Sequence, residues 1–383
     1  MSGVRDQVSR AQSLIESEKL PCRAVTLTDV KAQADVWAVR KGGLAILQSL
    51  RGEFKPISVV EDIAVPVEHL ADFVSDLLNI FAEFGASGAL YGHASAGCLH
   101  VRPLVNLKTV EGIEKVRGIG QRALELTLQY SGAMSGEHGD GYERTRYNET
   151  LFGTELYQAF CEIKDVFDPK HLLNPNKKVH GLDMEESMRF GPGYRTLPLG
   201  STFSFQKDGS LAALAERCNG VGVCRKHDSG VMCPSYRVTL DETHSTRGRA
   251  NLLQELLSNR GAWSEKRGAS SNASRLTPDA PHITEDHVLE ALDLCLSCKA
   301  CASECASGVD MAKMKSDFVQ HIYEQRGTPL RAWALGRIAM LSEFASYSPT
   351  IANWMLKQRG FKRVLGIAER RELPTFAKRT FMR

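Results

Sequence analysis

The chain has 383 residues, 43% of them hydrophobic and 24% charged, which fits a folded protein of two or three domains and excludes wholesale disorder. Its 48 Lys and Arg against 45 Asp and Glu leave a charge of +3, too near neutral to argue for a nucleic-acid partner. No apolar run is long enough to predict a membrane-spanning helix, and MSGVRDQVSRAQSLIESEKL reads as a polar amphipathic helix without the apolar core of a secretory leader. The expected location is therefore cytoplasmic, at most peripheral to a membrane.

Residues 1–193 alternate helical and strand-like patterns. Asp29 to Leu50 carries Val36, Val39, Leu44 and Leu47 at helical spacing. KPISVVEDIAVP is β-rich and stops at Pro66, and 67–84 is a strongly amphipathic helix. GALYGHA and CLHVRPL, joined through Ser95–Ala96–Gly97, predict a β-hairpin. A long helix follows over about 109–130, then a glycine-rich loop, SGEHGDG. Another helix over about 148–166 ends at Asp168–Pro169. The expected fold class is α+β, an antiparallel sheet with helices followed by a mostly α-helical domain.

Residues 194–330 hold two cysteine motifs separated by a helix over about 245–258 and a polar linker. The linker, over about 261–283, is rich in Ser, Ala, Asn and Pro and reads as a flexible loop. Residues 331–383 form a basic tail, helical near Leu330–Leu341. From Met311 onward there are 14 Lys and Arg against 5 Asp and Glu. A solvated surface accounts for such a run. So does docking to another domain or to an anionic membrane, where Trp333, Trp354 and Phe361 would help.

Seven of the 10 cysteines fall between Cys218 and Cys305. Without a secretory leader a disulfide framework is disfavoured, so dense cysteine points to metal. Cys295, Cys298, Cys301 and Cys305 have the C-x2-C-x2-C-x3-C spacing of bacterial ferredoxins, whose clusters take soft thiolate ligands. Zinc is the alternative, although zinc ribbons pair two distant C-x2-C units. The first motif places Cys218, Cys224 and Cys233–Pro234 on the same pattern, with Val221 at the second ligand position. If ligands swap between motifs, Cys295, Cys298, Cys301 and Cys233 hold one [4Fe–4S] cluster. Cys218, Cys224 and Cys305 then hold a [3Fe–4S] cluster, or a [4Fe–4S] cluster with a fourth ligand from the insertion, His227 or Asp228 being nearest. Both motifs, with CPSY, HSTRGRANLL and SGVDMAK, resemble the iron–sulfur subunit of glycolate oxidase and related two-cluster carriers.

In the first lobe, a hairpin with His93 and His100 and a loop with Glu137 could form a His₂–carboxylate metal site, with His138 as a general base. Scattered histidines are also ordinary core or surface groups, and glycines can merely close turns.

GHASAGCLHV, SGEHGDG, DPKHLLNPNK, WAVRKGGL and VEDIAVP together resemble the C-terminal cap domain of FAD-linked oxidases of the D-lactate and D-2-hydroxyglutarate dehydrogenase type, over about residues 25–180. The resemblance implies that His93, His100 and Glu137 bind a divalent metal, with zinc expected, which holds a 2-hydroxy acid. It implies that His138 removes the hydroxyl proton while hydride passes to flavin. It makes Arg40 a carboxylate anchor and puts Asn174, with Glu137 and Gly139 of the glycine-rich loop, toward the flavin. Arg102 stands where such enzymes have an asparagine, and Val60 where they have a lysine for a distal carboxylate. Arg102 is thus a candidate for substrate charge. No G-x-G-x-x-G follows a strand, so FAD is expected to sit mainly on a missing or separate domain. The expected protein is an internal piece of a fused dehydrogenase, inactive alone, passing electrons from a 2-hydroxy acid through clusters to a carrier or quinone. The alternative is a non-catalytic electron-transfer subunit that docks a flavoprotein.

Overall fold

The computed structural model describes residues 2–19, 24–258 and 283–377. All but the last residue of the loop expected over 261–283 lies outside these. The fold is α+β, with one small antiparallel sheet and many helices.

The first lobe opens with helices α1 (Ser2–Ser17) and α2 (Val30–Gln48). Asp29 caps α2 by accepting from the Ala32 amide, as its side chain suits. Strands β1 (Lys55–Pro56) and β2 (Ile63–Ala64) come next, then α3 (Leu70–Glu83), β3 (Gly88–His93), β4 (Cys98–Val105) and α4 (Val110–Gln129). Strand β4 is central. It pairs with β3 along one edge and with β1 and β2, end to end, along the other, all antiparallel. The β3–β4 connection is a single 3₁₀ turn closed by Gly97 at φ 64°, where a Cβ would lie 1.9 Å from the Val65 carbonyl oxygen.

Side chains alternate across β4. Leu99, Val101 and Val105 join the core with Phe73, Leu77 and Phe81 of α3 and Val116, Ile119 and Leu124 of α4. Cys98, His100 and Arg102 face the other way, yet are also buried. The covering comes from the 58–62 turn and from the SGEHGDG loop.

Three elements differ from expectation. The 55–66 segment holds only two two-residue strands, because the chain turns at Ser58–Glu61 (3.1 Å) and passes through Asp62 at φ 73°. The 148–166 helix is two, α6 (Asn148–Phe152) and α7 (Thr154–Phe167), after a short α5 (Gly141–Arg144). Gly153 separates them at φ 80°, a conformation that ends a right-handed helix. The tail, expected as a basic helical segment over 331–383, is divided into short helices between Leu330 and Val364.

The second lobe comprises α8 (Leu211–Glu216), α9 (Pro234–Thr239), α10 (Thr246–Leu256), α11 (Glu285–Asp293), α12 (Ala300–Glu304) and α13 (Met311–Arg326). Its core joins Leu214, Leu253, Leu292, Met314 and Phe318 to the cysteine-bearing turns. The tail adds α14 (Leu330–Gly336), α15 (Ile338–Tyr347), α16 (Pro349–Lys357) and α17 (Arg359–Val364). No described helix is long and apolar enough to cross a membrane. Lys108 joins the two lobes: its ammonium lies 2.9 Å from Glu53 and 2.7 Å from Glu216, beside the rings of Phe190 and Tyr194.

Candidate functional site

The SGEHGDG loop is built on one buried carboxylate. Asp62, with 0% of its surface exposed, accepts from the Glu137 amide (3.0 and 3.1 Å), the His138 amide (2.7 Å) and the Ser135 hydroxyl (2.8 Å). Gly136 and Ala133 extend the pairing to the backbone of Asp62 and Ala64. Gly136 must be a glycine here, since a Cβ would meet that of Ala64 at 2.9 Å. Burial opposes ionisation of Asp62, but these donors outweigh it and hold its carboxyl below the usual range. The neighbouring Cys98 thiol, 3.5 Å away, is pushed up to about 11 by burial and by Asp62. Asp62 is committed to these donors, and it and Cys98 lie beside His100 and Glu137, with one ligand atom from each of the four within 4.8 Å of the others.

The loop so fixed delivers Glu137 and His138 to the exposed end of the β3–β4 hairpin. Three imidazole Nε2 atoms converge on one oxygen, Glu137 Oε1: His100 at 3.1 Å, His138 at 3.3 Å and His93 at 3.5 Å. The rings of His93 and His100 meet edge-on at 5.3 Å, and those of His100 and His138 stack at 5.0 Å. His100 is buried, while His93, Glu137 and His138 are half open to solvent. Burial and the adjacent His138 push the His100 imidazole below its ordinary value, favouring the neutral form that ligates metals.

Sequence reasoning missed Glu61 and Asp62. Glu61 is buried, paired with Arg102, and faces the Nδ1 atoms of His138 (3.7 Å) and His100 (3.9 Å). Nδ1 of His100 has no hydrogen-bond partner. Nε2 thus points into the cluster while Nδ1 points at a carboxylate, the outer-shell arrangement common for metal-ligating histidines. Two adjacent acids within an apolar run were the available signal. Arg102 sits on the His100 face of β4, its charge balanced by Glu61. Arg40, on α2, lies over the Tyr91 ring at 5.0 Å, and that ring abuts His100 at 4.9 Å. Gly139 turns the loop at φ 84°, its carbonyl held by Arg144. Asn174 sits in an exposed turn at φ 47° and is not among the residues that meet here.

The seven cysteines line two cavities. One is lined by Cys233, Cys295, Cys298 and Cys301; the other by Cys218, Cys224 and Cys305. Met232 and Thr246 contribute to both walls. The C-x2-C-x2-C wrap is tight, with Ser297 and Lys299 at φ 51° and 63°. Burial pushes up the Cys218 and Cys224 thiols, and the Cys301 thiol to about 11. Thiolates there need a cationic centre, and donors already aim at the sulfurs: the Arg247 amide at Cys224 (3.4 Å) and the Met311 amide at Cys301 (3.3 Å). Arg249, 1% exposed and fixed by the Ala291 carbonyl at 2.6 Å, places Nη1 3.5 Å from Cys233. Such donors suit an anionic cluster. His227 and Asp228 line neither cavity; the His227 ring packs near Tyr236 instead.

Residues 5–178 match the family of FAD linked oxidases, C-terminal domain, and residues 214–309 match the 4Fe-4S dicluster domain. The chain is an FAD-linked oxidase C-terminal domain joined to a 4Fe-4S dicluster domain. It is 33% identical over 347 residues to a D-2-hydroxyglutarate dehydrogenase of Pantoea ananatis, across 84% of this chain and 33% of that protein. A D-2-hydroxyglutarate dehydrogenase of Pseudomonas putida is 30% identical over 357 residues, 88% of this chain and 35% of the relative. A D-lactate dehydrogenase of Archaeoglobus fulgidus is 36% identical over 129 residues, 33% of this chain and 28% of the relative. The chain spans about a third of the length of the first two relatives. Its oxidase domain carries the histidine–glutamate cluster, and its dicluster domain carries both cysteine cavities.

Proposed function

We propose that this chain is the substrate-cap and electron-transfer portion of an FAD-dependent dehydrogenase that oxidises a D-2-hydroxy acid to a 2-oxo acid. The observation that carries the reading is the convergence of three imidazoles on Glu137 Oε1, at a half-open site, in a chain that also holds two cysteine cavities with a shared wall.

His93, His100 and Glu137 would hold a divalent metal, zinc first among the candidates, and the cysteines would hold iron–sulfur clusters. The metal supplies Lewis acidity toward substrate oxygens, FAD accepts two electrons, and the clusters carry electrons singly. His138, beside Glu137 and half exposed, takes the hydroxyl proton at a ring nitrogen. Arg40 anchors the substrate carboxylate with its bidentate fork. Arg102, already balanced by Glu61, adds little net charge and so shapes the site more than it attracts a second carboxylate. A flavin carried chiefly by another domain would be contacted by Gly139 of the site loop and by Asn174 of its exposed turn. The final acceptor is a carrier or quinone.

Metal analysis separates this from a non-catalytic electron-transfer subunit. The whole chain, purified anaerobically, should contain iron, acid-labile sulfide and about one further divalent ion, as a three-ligand site would hold. His93→Ala should lose that ion and keep its iron. Iron and sulfide alone in the parent chain would favour the electron-transfer subunit.

A further inference from the structure

A dicluster domain needs eight ligands for two cubanes, and the cysteines here supply seven. The three-cysteine cavity contains one oxygen donor with nothing to bind. Ser307 lines it, is 1% exposed, and its Oγ has no hydrogen-bond partner. Buried hydroxyls are almost always paired, so an orphan on a residue that lines a ligand cavity needs an explanation.

The local turn fixes that hydroxyl. The Gly308 amide donates to the Cys305 carbonyl at 2.7 Å, so Cys305 and Ser307 belong to one tight turn. Gly308 closes it at φ 63°, a conformation that side-chain-bearing residues rarely adopt. The other polar groups of the cavity are committed. Asn219 accepts from the Val221 amide at 3.1 Å and donates to Gln48 at 2.9 Å. The Thr246 hydroxyl bonds toward Cys233, and Arg247 is held by Glu242 at 2.7 Å.

We propose that Ser307 Oγ is the fourth ligand of a [4Fe–4S] cluster otherwise held by Cys218, Cys224 and Cys305. The inference rests on the cluster reading above. The O–H bond breaks as the Fe–O bond forms, the proton leaves to solvent, and no electron changes hands. A serine oxygen is harder than thiolate, so this cluster differs from its neighbour in ligand field and in potential.

The test is iron counting with Mössbauer and electron-spin-resonance spectra of the full chain, reconstituted anaerobically with iron and sulfide. Samples are then briefly oxidised with ferricyanide and gel-filtered. The parent chain should keep about eight irons in two four-iron clusters. Ser307→Ala should lose about one iron and show a three-iron signal, and Ser307→Cys should restore the four-iron state. An unchanged spectrum from the Cys233, Cys295, Cys298 and Cys301 cluster shows that each variant is folded. Two intact four-iron clusters in Ser307→Ala, or a three-iron centre in the parent chain that excess ferrous iron does not fill, would overturn the assignment. Absence of acid-labile sulfide from the parent chain would instead overturn the cluster reading beneath it.

Discussion

Glu61 is a buried carboxylate with three claimants: Arg102, which pairs with it, and the Nδ1 atoms of His100 and His138. Removing its charge should leave Arg102 uncompensated and loosen the orientation of both imidazoles. Glu61→Gln is nearly isosteric, and it should weaken lobe metal affinity roughly 10–100-fold, the usual effect of losing an outer-shell partner. Competition against a zinc chelator measures this, and affinity unchanged within a factor of two would remove Glu61 from the site. The histidines themselves were legible in the sequence because a hairpin with a tight glycine turn places its ends together. Glu61 and Asp62 were not. Their burial depends on the Ser135–His138 loop, about 75 positions downstream, and the adjacent acids in ISVVEDIAVP are a local signal that does not name that partner. Ser307 was equally silent, since serine in a turn is ordinary until the neighbouring thiols are found to be one short.

Among the elements, the turn after α7 shows how one side chain sets a segment. Asp168 accepts from Lys164 (2.6 Å), the Leu173 amide (2.8 Å) and the Leu172 amide (2.9 Å), and these bonds lower its pKa to about 2. An unfolded aspartate titrates near 3.9. The folded value lies below that, so the stabilisation is complete above about pH 4 and fades as pH falls toward 2. Asp168→Asn should speed amide exchange at Leu172 and Leu173 near neutrality, with the gap from the parent chain closing between pH 4 and 2. A gap that does not vary with pH would mean that the ionised form is not what holds the turn. Helices of the first lobe were readable from apolar spacing, and the structure adds their caps, Asp29 before α2 and Thr109 before α4. Periodicity runs straight through Gly153, however, and only its positive φ divides α6 from α7. The strand over 55–66 shrank for a related reason. Residues that look β-prone there serve as the rim of a turn whose hydrogen bonds go to the SGEHGDG loop.

For the molecule as a whole, one chain carries the histidine–glutamate cluster and the two cysteine cavities, which we propose to be a chemical site and an electron conduit. Lys108 links them by pairing with Glu53 of the oxidase lobe and Glu216 of the dicluster lobe. Arg189 reaches from the connecting segment to the carbonyl of Cys218 at 2.6 Å, tying that segment to the rim of the three-cysteine cavity. The basic tail exposes Phe344, Ile351 and Trp354 among its charges. Cysteine spacing made the conduit the most legible part of the sequence, because thiolate ligation demands few residues in a fixed local order. Iron–sulfur ligation by the four and three cysteines of the two cavities is the central claim, and inorganic sulfide is its most direct signature. Iron, acid-labile sulfide and zinc should be quantified with a visible spectrum on full chain purified without oxygen. The account predicts a brown protein with sulfide close to equimolar with iron. A folded, colourless chain, loaded with zinc at the cysteines and free of sulfide, would contradict it.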